Sequence, residues 1–126
     1  MTLQVLLTHG DEAERRAMRT AIRARGHGVV AVRTVDEVLS RLRERAFDCI
    51  VVGTARDREP HAAAERILRA HPTLDVIVVS SDARIEGIVE AFDLRVADYV
   101  PGPLEPKEVA HAVHRLWEQR AIANLL

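Results

Sequence analysis

Cysteine is nearly missing from this sequence. Cys49 is the one cysteine, so no internal disulfide can form. It stands in the apolar run Cys49-Ile50-Val51-Val52, where a buried small hydrophobe is the expected role. A lone thiol suits a reducing compartment. Lysine is as scarce: of 18 basic residues only Lys107 is a lysine and the rest are arginine. Aromatic residues are limited to Phe47, Phe92, Tyr99 and Trp117, so the core has to be built from aliphatic side chains. No apolar run reaches the length of a membrane span. The start, Met1-Thr2-Leu3-Gln4, is neither basic nor followed by a long apolar stretch, as a signal peptide requires. A cytoplasmic protein without membrane contact is the expectation. Charge of one sign is also lacking. The formal net charge is −1 with the signs interspersed, which gives no electrostatic footprint for nucleic acid.

What is present is an alternation. Short apolar runs at Leu3–Leu7, Val29–Val32, Cys49–Val52, Val76–Val79 and Tyr99-Val100 read as strands. The third and fourth are continuous and β-branched, the mark of strands covered on both faces. Between them lie stretches of helical period. Asp11 and Glu14 form an N-cap and N3 pair, with Met18, Ala21 and Ile22 following and Gly26 as a stop. Thr34 and Glu37 have capping-box spacing ahead of the stripe Val35, Val38, Leu39 and Leu42. Ala63, Ala64, Ile67 and Leu68 make a third stripe, closed by Pro72. Ile85, Ile88, Val89 and Phe92 make a fourth. Pro106 suits the first turn of a fifth helix, whose stripe is Val109, Val113, Leu116 and Trp117. The 126 residues thus fit one α/β domain with the order βαβαβαβαβα. A flavodoxin-like five-stranded parallel sheet of order 2-1-3-4-5, with helices on both faces, is expected. The longest irregular stretch is Gly53 to Glu59.

Ligands of an open parallel sheet bind beyond the carboxyl ends of its strands. Here those ends read Thr8-His9-Gly10-Asp11, Gly53-Thr54-Ala55, Ser80-Ser81-Asp82 and Pro101-Gly102-Pro103. At this point the sequence resembles a response-regulator receiver domain, over nearly the whole chain. Val5 to Glu12 looks like the family's first strand and acidic turn. Phe47 to Gly53 looks like the third strand leading to the phosphoacceptor. Val76 to Ser81 looks like the fourth strand and its Thr/Ser switch. Ala97-Asp98-Tyr99-Val100-Pro101-Gly102-Pro103-Leu104 looks like the fifth strand with its Lys-Pro pair, and is the most specific match.

The resemblance implies a chemistry and also its loss. The family holds Mg²⁺ with two acidic residues and an acceptor aspartate, which attacks the phosphoryl group while a lysine pairs with phosphate oxygens. The acidic positions fall on His9 and Gly10, the acceptor on Gly53 and the lysine on Gly102. The hydroxyl is kept as Ser80, the switch aromatic as Tyr99 and the proline as Pro103. A degenerate receiver, lacking acceptor and lysine, is therefore expected, with no catalytic residue, metal or cofactor. A register two residues on would make Asp11 and Glu12 the acidic pair, but helix N-cap and first-turn roles are favoured for them. Asp57 is read as a solvated loop aspartate rather than an alternative acceptor. Asp48 lies at the opposite end of the third strand. Two glycines, Gly53 and Gly102, are an alternative sign of close backbone approach to a ligand.

His9 is read as a surface turn histidine, with a ligand or proton-switch role in the vacated pocket as the alternative. His111 and His114 have a spacing that suits a shared metal, but without a third ligand an exposed polar pair is favoured. Gly26-His27-Gly28 reads as a turn. In the family the fourth helix, fifth strand and fifth helix form a frequent dimer or docking face. Here that face would carry Arg84, Glu86, Glu90, Arg95, Asp98, Tyr99, Lys107 and His111, and mixed charges suit specific pairing. Residues 1–121 are expected to be the receiver-like domain. The apolar residues Ile122, Leu125 and Leu126 place the start of a C-terminal extension or linker at 122–126, ahead of a missing output domain. The expected function is a phosphorylation-independent, non-enzymatic signalling module of a bacterial two-component-like pathway. It would bind a protein partner or pair with itself, and not bind nucleic acid. The alternative is a small-molecule sensor using the vacated pocket. A flavin-type enzyme is least supported, because Thr8-His9-Gly10-Asp11 is too short and acidic for a phosphate-cradling loop.

Overall fold

The computed structural model describes residues 2–53, 59–81 and 83–126. Asp57 therefore lies outside the described residues. The elements alternate throughout: β1 (Gln4–Thr8), α1 (Glu12–Ala24), β2 (Gly28–Val32), α2 (Val35–Glu44), β3 (Cys49–Gly53), α3 (Glu59–Ala70), β4 (Asp75–Ser80), α4 (Ile85–Asp93), β5 (Asp98–Pro101) and α5 (Pro106–Leu125). The strands form one parallel sheet of order β2-β1-β3-β4-β5, as expected.

Side chains of a strand point alternately to the two faces, and the apolar runs divide accordingly. Val5, Leu7, Cys49, Val51, Ile77 and Val79 meet Met18 and Ile22 of α1 and Val109 and Val113 of α5. Leu6, Ile50, Val52, Val76 and Val78 meet Val38 of α2, Ala64 and Ile67 of α3 and Ala91 of α4. Cys49 is fully buried, and burial, followed by the nearby Asp75 carboxylate, pushes its thiol far above the usual range.

Local signals set the helix starts. The Asp11 carboxylate accepts the Glu14 N–H at 2.9 Å, and the Thr34 hydroxyl accepts the Glu37 N–H at 3.2 Å. The Glu37 carboxylate reaches back one residue further than a capping box predicts, taking the Arg33 N–H at 3.2 Å. α5 runs unbroken across residues 121 and 122 to Leu125, with Ile122, Leu125 and Leu126 exposed. Among the described residues no helix is long and apolar enough to cross a membrane.

α4 departs from its sequence stripe. Its buried residues are Gly87 and Ala91, while Ile85, Val89 and Phe92 face outward. Only Ile88 of the expected stripe packs against the core. Two apolar arcs are available on this short helix, and the one with small residues lets the backbone lie closer to the sheet. His61, buried in the first turn of α3, anchors that choice: its Nε2 donates to the Gly87 carbonyl at 2.8 Å.

Candidate functional site

The carboxyl ends of β1, β3, β4 and β5 converge as the topology demands. His9 follows β1 and is 3% exposed, which corrects the reading of a surface histidine. Its Nδ1 accepts the Asp11 N–H at 3.0 Å, and its Nε2 lies 2.9 Å from the Glu14 carboxylate. An accepting Nδ1 puts the ring proton on Nε2, where it donates to Glu14. Arg15 donates to the His9 carbonyl at 2.8 Å. Burial pushes the His9 imidazole below its usual range, while the carboxylates of Glu14 and Asp11 pull the other way.

Gly53 ends β3 beneath this ring. A Cβ added there would stand 3.0 Å from His9 Cδ2 and 3.4 Å from Val79 Cβ. Ser80, ending β4, is buried. Gly102 follows β5 with φ +88°, a region that residues with a Cβ rarely adopt. Gly10 is exposed and has open space around it. His9, Ser80 and Gly102 line a pocket of about 260 Å³ together with Glu14, Ser81 and Pro103. Gly10 and Gly53 line a second, of about 180 Å³, with Arg33, Thr34 and Glu59. His9 thus belongs to one pocket, and Gly53, against which its ring packs, to the other.

Each pocket has one carboxylate, Glu14 or Glu59. No group of three or more His, Cys, Asp or Glu able to hold a metal occurs among the described residues. The shifted acidic pair is committed elsewhere: Asp11 caps α1, and Glu12 is exposed and pairs with Arg16 at 3.0 Å. Glu14 is the site carboxylate that sequence reasoning missed. Its capping role at N3 was legible, but its reach to His9 depends on the angle at which α1 leaves β1.

Three further expectations need correction. Tyr99 is buried, 5.6 Å ring to ring from His61, so it packs beneath the presumed docking face rather than on it. Lys107 is exposed but lines a groove between α1 and α5, because the first turn of α5 directs it away from α4. His114 is half-buried rather than one of an exposed pair with His111. The Leu3 N–H donates to His27 Nδ1 at 3.1 Å, so His27 Nε2 carries the proton facing His114 Nδ1 at 3.2 Å. His27 is buried in its turn, and burial, then the neighbouring His114 and Arg25, pushes it below the usual histidine range. Arg84, Glu86, Glu90, Arg95 and His111 are exposed. Asp98, half-buried, is paired with Arg115.

A doubly wound five-stranded α/β domain with its cleft at the β1, β3, β4 and β5 ends is thus defined. The sequence pattern of the response regulator receiver domain matches residues 5–114, and the chain belongs to that family. It is similar to the response regulator protein FleR of Pseudomonas aeruginosa, 28% identical over 116 residues, or 91% of this chain and 24% of FleR. The transcriptional regulatory protein ZraR of Escherichia coli O157:H7 is 22% identical over 82% of this chain and 24% of its own length. The chain therefore spans about a quarter of the length of these curated relatives. A CheY-like response regulator receiver domain protein from Methanospirillum hungatei shares the fold with TM-score 0.80 at 17% identity, covering 98% of this chain and 99% of that one. A response regulator from Thermotoga maritima does so with TM-score 0.79 at 20% identity, over 92% and 98%.

The Mg²⁺ that the family's phosphoryl chemistry calls on does not fit this donor set. Mg²⁺ takes near-octahedral oxygen ligands, chiefly carboxylates and waters. Glu14 is engaged by His9, and the remaining β1 and β3 end positions carry an imidazole and two glycines.

Proposed function

We propose that this receiver domain signals without aspartyl phosphorylation, as a non-enzymatic module that binds a protein partner in a cytoplasmic two-component-like pathway. The observation that carries the reading is the contact between the His9 ring and Gly53. The resemblance assigns the acceptor aspartate to position 53, where this chain has no side chain to attack phosphorus and where His9 packs instead. Gly102 supports it from the other side. The lysine position has φ +88°, so a lysine there would be strained as well as missing. With neither nucleophile nor ammonium, the C-terminal cleft has nothing to transfer a phosphoryl group to and nothing to hold it. What is left to receive or send a signal is surface, and α4 with the exposed charges Arg84, Glu86, Glu90 and Arg95 is the natural docking element.

The test is to add Mg²⁺ and beryllofluoride, a phosphoryl mimic, and follow amide NMR shifts. No saturable change at Gly53, Ser80 and Gly102 is expected. A saturable change there would overturn the proposal and return the domain to the phospho-switch class.

A second reading rests on the 260 Å³ pocket lined by His9, Ser80 and Gly102. That volume is at the small end of ligand sites, so it would suit a small polar metabolite. Under this reading a thermal-shift screen finds a compound whose effect is lost in His9→Ala. A screen of nucleotides and metabolites without a hit would rule against it.

A further inference from the structure

α4 turns outward what a helix normally buries. Ile85, Val89 and Phe92 are 75%, 52% and 48% exposed. They recur at i, i+4 and i+7, so they form one ridge. Glu86, Glu90 and Asp93 repeat the same spacing one residue on, and α4 contains no basic residue. The ridge is thus apolar along its crest and acidic along its flank, with three carboxylates and no cation.

The opposite face of the sheet carries a complement. A groove of about 950 Å³ runs between α1 and α5, floored by Ala13, Ala17, Ala24 and Ala110. Small floor residues leave room for larger side chains from outside. The rim carries three cations, Arg16, Arg25 and Lys107, against one carboxylate, Glu105. An apolar acidic helix and an apolar basic groove match in both shape and sign.

α4 packs on the layer shared with α2 and α3, whereas α1 and α5 pack on the other layer. A chain therefore cannot fill its own groove. A symmetric contact of α4 against α4 would bring six carboxylates together, which like-charge repulsion disfavours. We propose that α4 of one copy seats in the α1–α5 groove of a second copy. Such a contact is head-to-tail: every bound copy still offers a free ridge and a free groove, so assembly continues past the dimer unless a ring closes. This inference rests on reading α4 as the docking element, and does not depend on the loss of phosphoryl chemistry.

Sedimentation of the whole chain up to roughly 1 mM, the weak limit of specific association, provides the test. The average mass is expected to rise with concentration beyond that of a dimer. At about 1 M salt, where the screening length falls to about 3 Å, association should weaken several-fold. Val89→Glu removes the ridge and Ala17→Glu spoils the groove. Each variant alone is expected to be monomeric with unchanged circular dichroism. Their equimolar mixture should form a dimer and nothing larger, because one copy keeps the ridge and the other the groove. This mixture also guards against misfolding, since each variant must still present its intact surface.

A wild-type chain that stays monomeric throughout overturns the inference and leaves the phosphorylation-independent reading standing. Association abolished by Val89→Glu but untouched by Ala17→Glu points to a symmetric α4 contact and also overturns it. So does association that survives Val89→Glu and is lost in Leu125→Glu, which would give the groove to the end of α5.

Discussion

His9 is held neutral by its surroundings, and that has a consequence for stability. Its folded-state pKa is lowered, chiefly by burial, and so is that of His27. In the unfolded chain both titrate near the ordinary value of about 6.5. Below that value the unfolded state binds more protons than the folded one, so stability rises with pH across the window. The contribution is complete above the unfolded pKa and is lost as pH falls through it towards the folded values. The urea midpoint is accordingly expected to be level from pH 8 to 7 and to decline below 6.5. His9→Asn keeps an oxygen near Nδ1 to accept the Asp11 N–H, but has nothing to titrate. Its midpoint should fall less steeply over the same window. An unchanged slope in that variant would remove His9 as a cause and leave His27.

α5 is the element whose attachment the sequence conceals best. Its second half is tied to the amino ends of β3 and β4 by Arg120, which donates to the Asp48 carbonyl at 2.7 Å and to the Asp75 carboxylate at 2.7 Å. A weaker contact joins it to the Asp48 carboxylate at 3.2 Å. Asp48 also accepts the Gln4 N–H at 2.7 Å, so one guanidinium links three strand starts to α5. The arginine and both carboxylates remain about a third exposed, so solvent screens the attraction. Arg120→Met is expected to cost about 1 kcal/mol in chemical denaturation, the scale of a partly exposed network rather than of a buried pair. Position 48 was legible as the far end of β3, but its partner 72 residues on was not. Helix starts were readable because Asp11 and Thr34 act on residues three away. The face of α4 was not, because hydropathy reports that an arc is apolar and not which of two arcs the sheet admits. Gly87 and Ala91 could have signalled the closer approach.

At the scale of the whole molecule, the fold was open to sequence reasoning because strand and helix periods alternate without interruption. The site was only half open. The strand ends named the positions, while the filling of the cleft by the His9 ring, the Glu14 contact and the Gly102 backbone emerge only when separate loops meet. Their joint effect predicts how hard the site is to restore. Gly53→Asp alone adds a carboxylate where a Cβ already crowds the His9 ring at 3.0 Å, and it brings no second ligand for a cation. Replacing His9 by Asp in the same chain removes that ring and supplies an oxygen ligand. Gly10→Asp adds another where no atom stands within 4 Å of a Cβ. Mg²⁺ is therefore expected to raise the melting temperature of the triple variant His9→Asp, Gly10→Asp, Gly53→Asp and to leave Gly53→Asp unaffected, since only a folded state that binds the ion gains from it. Even the triple variant should remain slow to accept a phosphoryl group from acetyl phosphate, as read by intact mass. Its phosphate would still lack an ammonium at position 102, and a lysine placed there at φ +88° would carry a backbone penalty on the order of 1–2 kcal/mol. Rapid, stoichiometric phosphorylation of Gly53→Asp alone would show that the cleft had kept more of its chemistry than these contacts allow.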